Sequence, residues 1–201
     1  MLAFNGVGHR FAARTIFNDV SLAIAEPRVV LSGANGIGKT TLLLIAGGLL
    51  RPANGEVTLN GNNVLDSAAR PLIGMSASKV ALPGFMSASD LLQFHQRLYG
   101  CAAPEYWITA FGLSDYLPTL VQDLSLGNYK KLSLILALMH QPELLLLDEP
   151  ANGLDAKTRE ALYQCLAEYP GQIVIASHEP LNFAGHTVRQ LHLDHNGVHE
   201  R

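Results

Sequence analysis

The segment at residues 33–40 constrains the fold of this chain more than any other. It follows an apolar run at residues 28–31, typical of a buried strand, and precedes residues 41–46, where we predict a helix. A glycine-rich loop between a strand and a helix lets backbone N–H groups converge on a phosphate, aided by the positive end of the helix dipole. We expect nucleotide contacts from Gly33, Ala34, Asn35, Gly36, Ile37, Gly38, Lys39, Thr40 and Thr41.

The last residues of this loop carry the chemistry of a triphosphate site. Lys39 is expected to bridge the β- and γ-phosphates, and the hydroxyl of Thr40 is expected to ligate magnesium. The pattern therefore predicts that the chain binds ATP or GTP together with Mg²⁺. The guanine-reading pattern Asn-Lys-x-Asp does not occur in the sequence, so we expect ATP rather than GTP.

The composition indicates one core and no nucleic-acid partner. The chain has 201 residues, of which 48% are hydrophobic, and no internal repeat or linker divides it, so we predict a single domain over residues 1–201. The net charge is −3, and the longest basic cluster is Lys130-Lys131, so nucleic acid is not expected to bind. Cys101 and Cys165 form no closely spaced pair, which favours free thiols in the cytoplasm.

No segment resembles a secretion signal or a membrane span. Residues 1–5 lack a charged start followed by an apolar stretch. The longest apolar tracts, residues 41–50 and 132–139, are well short of the ~20 residues that cross a bilayer. Any role at a membrane is therefore expected to come through a partner.

Two carboxylates end a second apolar run. Residues 144–147 predict a central parallel strand buried on both faces, and Asp148 and Glu149 follow at its carboxyl end. This is the edge at which a doubly wound sheet presents catalytic groups. We expect Asp148 to hold the magnesium ion, through water, and Glu149 to polarise the water that attacks the γ-phosphate.

A third apolar run delivers a histidine to the same edge. Residues 172–177 predict a strand, and His178 follows it. A histidine at this position can hydrogen-bond the γ-phosphate or the attacking water, so we predict a catalytic role for His178 beside Lys39 and Glu149.

The order of these motifs resembles that of the ATP-binding subunit of ABC transporters through almost the whole chain. The discriminating segment is Leu124-Ser125-Leu126-Gly127-Asn128, before a helix predicted at residues 129–140, where that family has a Leu-Ser-Gly-Gly-Gln signature. The resemblance implies that Ser125 and Gly127 cap the γ-phosphate of ATP held by the opposite subunit. Leu126 and Asn128 depart from the signature, so its backbone role is expected to survive better than its side-chain contacts.

Three further positions follow from the resemblance. Asn152-Gly153-Leu154-Asp155 resembles the loop that crosses the dimer interface, which places Asp155 near the nucleotide. Phe11 matches the aromatic residue that stacks on adenine, although it could equally pack inward from a strand. Ser78 stands where the family has a glutamine that contacts magnesium and moves with the transport channel. Serine is too short for that reach and would need a water or a neighbouring group.

The resemblance and the strand pattern together predict an α/β fold. We expect a P-loop NTPase core of mainly parallel sheet with an antiparallel β edge, formed by residues 1–75 and 143–201, and a helical subdomain at about residues 76–142. Antiparallel strands are predicted near residues 4–7, 22–24 and 57–59, and a hairpin at residues 188–193 and Val198 around Asn196-Gly197.

The helical subdomain is expected to carry the signature and to receive a membrane subunit. Helices are predicted to start near Ser89 and Pro104. Phe85, Tyr99 and Trp107 could line a groove for a short helix of that subunit, or they could pack in the core.

The predicted function is that of an ATP-hydrolysing subunit that energises a separate membrane permease. A second such ATPase, as a head-to-tail homodimer or heterodimer, is expected to complete each site, and the permease would hold the pair at the inner face of the membrane. One alternative is a soluble mechanical ATPase of the ABC type. Another is a nucleotide-responsive regulatory protein with weak turnover.

The sequence is consistent with two transporter subclasses. The short chain and the turn Ser177-His178-Glu179-Pro180-Leu181 are similar to the haem-exporter-type ATPase of cytochrome c maturation. A small efflux-type subunit is comparably consistent with the sequence.

Overall fold

The computed structural model of the chain describes residues 1–12, 14–178, 183, 187–194 and 197–200. Its strands are β1 (Leu2–Phe11), β2 (Arg14–Ile24), β3 (Arg28–Ser32), β4 (Asn54–Leu59), β5 (Asn62–Asn63), β6 (Ile73–Ser76), β7 (Leu144–Asp148), β8 (Gln172–Ala176), β9 (Arg189–Asp194) and β10 (Gly197–Glu200). Its α-helices are α1 (Lys39–Ala46), α2 (Ala88–Tyr99), α3 (Glu105–Ala110), α4 (Leu126–Leu138) and α5 (Ala156–Glu168). Short 3₁₀ turns lie at Ser67–Leu72, Ser114–Tyr116 and Val121–Asp123.

The described strands form two sheets. The larger has the order β10-β9-β3-β8-β7-β6, in which β9, β3, β8, β7 and β6 run parallel and β10 pairs antiparallel with β9. The smaller is antiparallel, with the order β2-β1-β4-β5. The predicted architecture of a mainly parallel core with an antiparallel edge and a helical part is confirmed.

The apolar runs of the central strands bury both faces of the parallel sheet. Successive side chains of a strand point to opposite faces, so Leu144 and Leu146 of β7 pack against the antiparallel sheet and α1. Leu145 and Leu147 pack on the other face, against a cluster that includes Leu132 of the long helix α4. The helical part and the parallel sheet therefore share one continuous core.

Strand register brings the carboxyl ends of the central strands to one edge. Leu31 of β3 and Asp148 of β7 both lie opposite Ala176 of β8. The residues that follow these strands are the phosphate loop, Glu149 and His178. The edge predicted from the sequence to carry the site is therefore formed by three neighbouring strands.

Helices α2, α3 and α4 all lie within the segment predicted to be helical, with boundaries that differ by a few residues. Helix α2 begins at Ala88 because the Ser87 hydroxyl accepts a hydrogen bond from the Asp90 N–H. Helix α4 begins at Leu126 rather than at residue 129, because the Ser125 hydroxyl caps it by accepting from the Asn128 N–H.

A histidine pair joins two of these helices. His95 Nε2 of α2 lies 3.1 Å from Nδ1 of His140, which follows α4, and Tyr99 stacks on His140 with ring centroids 4.3 Å apart. Burial, reinforced by His140, lowers the pKa of His95 to about 4. Tyr99 therefore packs within the helical part, and Trp107 packs there beside Phe111.

One exposed aromatic residue and two segments outside the described ranges also bear on the sequence predictions. Phe85, the third aromatic residue considered for a groove, is 81% exposed. Residues 179–181 of the turn after His178 and Asn196 of the predicted hairpin lie outside the described residues. Among the helices described, none has both the length and the apolar character that a membrane span needs.

Candidate nucleotide-binding site

The phosphate loop connects β3 to α1 and is closely packed at two glycines. Gly33 has φ +150°, and a Cβ there would lie 2.5 Å from the Leu193 carbonyl oxygen. Gly38 has φ +124°, and a Cβ there would lie 2.5 Å from Cγ2 of Ile16. Both positions therefore require glycine, because a larger residue would collide with β9 or β2 and strain the backbone. Ile37 anchors the loop by packing its side chain in the core.

Lys39 folds back into the loop that precedes it. Its Nζ donates hydrogen bonds to the carbonyl oxygens of Gly33, at 2.7 Å, and Ala34, at 3.2 Å, and lies 3.4 Å from Nε2 of His178. The residue is 6% exposed. Burial lowers the pKa of Lys39, and the two carboxylates at the end of β7 oppose that shift. The ammonium group therefore supplies a positive charge at the centre of the loop.

A cluster of oxygen atoms lies at the start of α1. The Thr40 hydroxyl donates to Oδ2 of Asp148 at 2.7 Å, and the Ser78 hydroxyl donates to the same oxygen at 3.4 Å. Asp148 is 5% exposed, so most of this carboxylate is enclosed by the protein. Hydroxyl and carboxylate oxygens are the ligands that Mg²⁺ prefers. The three residues predicted to hold the metal therefore lie together, and their chemistry fits it.

Glu149 directly follows these oxygens and has an unusual backbone. Its φ is +45°, a left-handed conformation that is uncommon for a residue other than glycine. The Glu149 N–H donates to the Ala176 carbonyl at 2.9 Å, which fixes the turn, and Oε1 lies 3.1 Å from Nε2 of His178. Strained backbone of this kind is concentrated at functional sites.

These groups line one open cleft of about 270 Å³. The cleft brings together loop, strand-end and histidine residues that are far apart in the sequence. Its lining residues are Asn35, Gly36, Gly38, Lys39, Thr40, Thr41, Ser78, Lys79, Asp148, Glu149 and His178.

Phe11 lies at the end of β1, outside the lining of the cleft but close to it. The residue is 46% exposed and its ring packs edge-on against His9, so it does not pack inward as the alternative interpretation held. The ammonium of Lys79, which lines the cleft, lies 5.9 Å from the centre of the ring. Arg14, the first residue of β2, also links the paired strands β1 and β2 to the phosphate loop by donating a hydrogen bond to the Gly36 carbonyl at 3.4 Å.

Sequence reasoning missed Lys79 and Arg14 as residues of this region. Lys79 follows Ser78 directly, and that adjacency was the available signal. Nothing in the local sequence indicates that Arg14 reaches the phosphate loop.

The two signature residues expected to contact nucleotide do not line the cleft of their own chain. Neither Ser125 nor Gly127 is among the lining residues of that cleft. Leu126, the first residue of α4, is 90% exposed. Gly127 packs against the loop after β7, since a Cβ there would lie 3.1 Å from the Gly153 carbonyl oxygen. The signature therefore faces outward, where another molecule can reach it.

Asp155 caps helix α5 and pairs with the signature helix. Its carboxylate accepts from the Thr158 N–H at 2.8 Å and lies 3.0 Å from the Lys131 Nζ. Hydrogen bonds from Thr158 and from Lys131 hold its pKa below the usual value. The contact with nucleotide expected for Asp155 stays a prediction.

A phosphate loop, a buried acidic strand end and a histidine at one edge of a parallel sheet define a nucleotide-binding protein of the P-loop class. Comparison with known proteins narrows this class. The family model described as "ABC transporter" matches residues 17–152. The chain therefore belongs to the ABC transporter family, and it is an ATP-binding ATPase of that family.

Individual relatives agree with this assignment. The cytochrome c biogenesis ATP-binding export protein CcmA of Novosphingobium aromaticivorans is 36% identical over 184 residues, which cover 90% of each chain. The aliphatic sulfonates import ATP-binding protein SsuB 1 of Rhodococcus jostii is 34% identical and covers 87% of this chain and 71% of its own length. A dimeric bacterial ABC transporter cassette has the same fold, with a TM-score of 0.80 at 23% identity and coverage of 96% of this chain and 94% of its own.

Proposed function

We propose that the chain hydrolyses ATP as one half of a head-to-tail pair and so drives a separate membrane permease, which would hold it at the membrane surface. The convergence of Lys39, Glu149 and His178 at one cleft carries this proposal. Nε2 of His178 lies 3.4 Å from Nζ of Lys39 and 3.1 Å from Oε1 of Glu149, so the histidine stands between the cation and the carboxylate. This is the arrangement that phosphoryl transfer to water requires: a cation at the phosphate and a base at the water.

Each residue has a defined part in the reaction. Water attacks the γ-phosphorus in line, and the bond from that phosphorus to the oxygen of ADP breaks. The Glu149 carboxylate accepts the proton of the water, while His178 holds Glu149 and the water in place. The Lys39 ammonium leaves the carbonyls of Gly33 and Ala34 and stabilises the charge on the transferred phosphoryl group.

Magnesium fits the oxygen atoms of Thr40, Asp148 and Ser78. Once bound there, it would neutralise phosphate charge. Ser78 reaches Asp148 directly, at 3.4 Å, so this short side chain acts through a neighbouring carboxylate. Phe11, with its exposed ring beside the cleft, would stack on adenine.

The outward position of the signature supports the pairing of two chains. Ser125 and the N–H of Gly127 stand at the start of α4, where a helix dipole favours an anion, but they do not reach the cleft of their own chain. A second copy placed head to tail would bring them to the γ-phosphate. The dimeric cassette with the same fold supports this arrangement.

The pairing can be tested with the Glu149→Gln chain, which should keep ATP intact. Light scattering after size exclusion is expected to give twice the monomer mass with ATP and Mg²⁺, because each nucleotide is then held by both chains. ADP is the control and should give the monomer mass, since it lacks the γ-phosphate that the signature contacts. A monomer that binds ATP, as shown by a fluorescent analogue, would contradict head-to-tail pairing and favour a nucleotide-responsive regulator.

We propose the cytochrome c biogenesis type as the transport subclass, because the match to the relative of that name spans 90% of each chain. The test is complementation of a strain that lacks the relative. The parental chain is expected to restore mature cytochrome c, measured by its absorbance, and the Lys39→Ala chain is not. Failure of the parental chain, expressed at the level of the relative itself, would count against this subclass and favour another efflux type.

A further inference from the structure

The first two turns of the signature helix α4 contact three segments of the nucleotide site. The Tyr129 hydroxyl accepts from the Leu82 N–H at 2.8 Å, in the loop that follows Ser78. Lys131 pairs with Asp155 after β7, as described above. These contacts hold α4 against the two loops that flank the cleft.

Between these two residues, Lys130 reaches the end of β7 itself. Its Nζ donates to the main-chain carbonyl oxygen of Asp148 at 2.9 Å. That carbonyl belongs to the peptide group that joins Asp148 to Glu149. The hydrogen bond therefore acts on the peptide that sets the direction of the Glu149 side chain, where φ is +45°.

Taking the Lys130 ammonium group out of water costs free energy, and the two nearby carboxylates offset part of that cost. Lys130 lines a cavity of about 490 Å³ that also includes Leu126, Asn152 and the two carboxylates. Burial lowers the pKa of Lys130, and the charges of Asp148 and Glu149 oppose that shift. An apolar side chain of the same length would avoid the cost of taking an ammonium group out of water. A role in the reaction accounts for the presence of Lys130 better than packing does.

We propose that Lys130 is a positioning residue for ATP hydrolysis, which holds the Asp148–Glu149 peptide so that the Glu149 carboxylate faces the attacking water. This inference rests on the proposed function of Glu149 as base. The hydrogen bond of Lys130 also connects the signature helix to the peptide group that carries the catalytic carboxylate of the same chain. A displacement of α4 would change the position of Glu149 through one hydrogen bond.

The test is to replace Lys130 by methionine, which keeps the length and apolar stem of the side chain but donates no hydrogen bond. The kcat for ATP hydrolysis is expected to fall about 10- to 100-fold, the effect of a misplaced catalytic group. KM for ATP is expected to stay near the parental value, because Lys130 is not among the residues that line the nucleotide cleft. The melting temperature is also expected to stay near the parental value, because methionine keeps the packing of the apolar stem and avoids the cost of burying an ammonium group. Lys130→Arg retains a donor and is expected to restore most of the lost kcat.

Two further variants make the outcome decisive. Lys157→Met, at an exposed position of α5, is the matched control and should keep the parental kcat. Lys130→Gln replaces Lys130→Met in the test if the methionine variant does not fold. The glutamine side chain is too short for its amide to reach the Asp148 carbonyl, so kcat should fall by the same factor.

The results that would overturn the inference are distinct from those that concern the base. Parental kcat in Lys130→Met, with hydrolysis lost in Glu149→Gln, would show that Lys130 does not position the carboxylate. Equal losses of kcat, ATP affinity and melting temperature, with no rescue by arginine, would show a structural role instead. Parental kcat in Glu149→Gln would overturn the proposed base and this inference with it.

Discussion

Replacing Glu149 by glutamine is expected to lower kcat for ATP hydrolysis by about 100- to 10,000-fold, the usual contribution of a general base. An amide has the size of the carboxylate but cannot accept the proton of the attacking water. The turn that presents the side chain should persist, because the Glu149 N–H bond to Ala176 involves the main chain alone. Phosphate release in the steady state at saturating ATP measures the loss.

The control for this loss is Glu160→Gln, a change of the same kind at an exposed position of α5. Its kcat should equal that of the parental chain. Nucleotide affinity of the Glu149→Gln chain should also stay near the parental value, since the carboxylate acts on water and not on the nucleotide. Parental turnover in Glu149→Gln would mean that another group accepts the proton, and the buried carboxylate of Asp148 would then be the next residue to examine.

Replacing Lys39 by alanine is expected to weaken ATP binding by about 10- to 150-fold, which corresponds to the ~1.5–3 kcal/mol of a hydrogen bond to a charged group. The ammonium is the cation that the loop holds at its centre, bonded to the carbonyl oxygens of Gly33 and Ala34. Alanine leaves the phosphates facing those carbonyl oxygens without a positive charge between them. Titration with a fluorescent ATP analogue measures the change in Kd.

Thermal melting distinguishes weaker ATP binding by the Lys39→Ala chain from a loss of folding. Without nucleotide, the Lys39→Ala chain should still melt in one cooperative transition but at a lower temperature, because the carbonyl oxygens of Gly33 and Ala34 and the two nearby carboxylates lose their buried cation. With ATP, the parental chain should gain stability by binding and the variant should gain much less at the same concentration. Equal gains in the two chains would contradict the proposed phosphate contact.

The parts of the site that are contiguous in sequence could be predicted from it. Lys39 and Thr40 follow the glycines of a loop between a strand and a helix, and their position is set by that local geometry. Asp148 and Glu149 end an apolar run whose burial on both faces was expected, so their place at the carboxyl edge followed from the topology of parallel strands.

Contacts across the fold could not be predicted in the same way. Lys130 and Lys131 stood in the sequence as a short basic cluster, yet the structure directs them to Asp148 and Asp155. Their directions depend on how α4 lies on the sheet, which no local pattern encodes. The hydrogen bond from Arg14 to the Gly36 carbonyl also depends on packing between distant segments. The parallel pairing of β9 with β3 could not be predicted either, because the sequence indicated only the hairpin of β9 with β10.

The order of the strands has a consequence for how the chain folds. β3, which carries the phosphate loop, lies between β8 and β9, whose residues come more than 140 positions later in the chain, as the pairing of Arg28 with Ile173 shows. During synthesis, β3 therefore cannot form its sheet pairs until both β8 and β9 have been made. Contacts between residues so far apart in the chain make folding slow. ATP affinity should consequently arise late on the ribosome, which makes nucleotide capture a reporter of completed folding rather than an aid to its early steps.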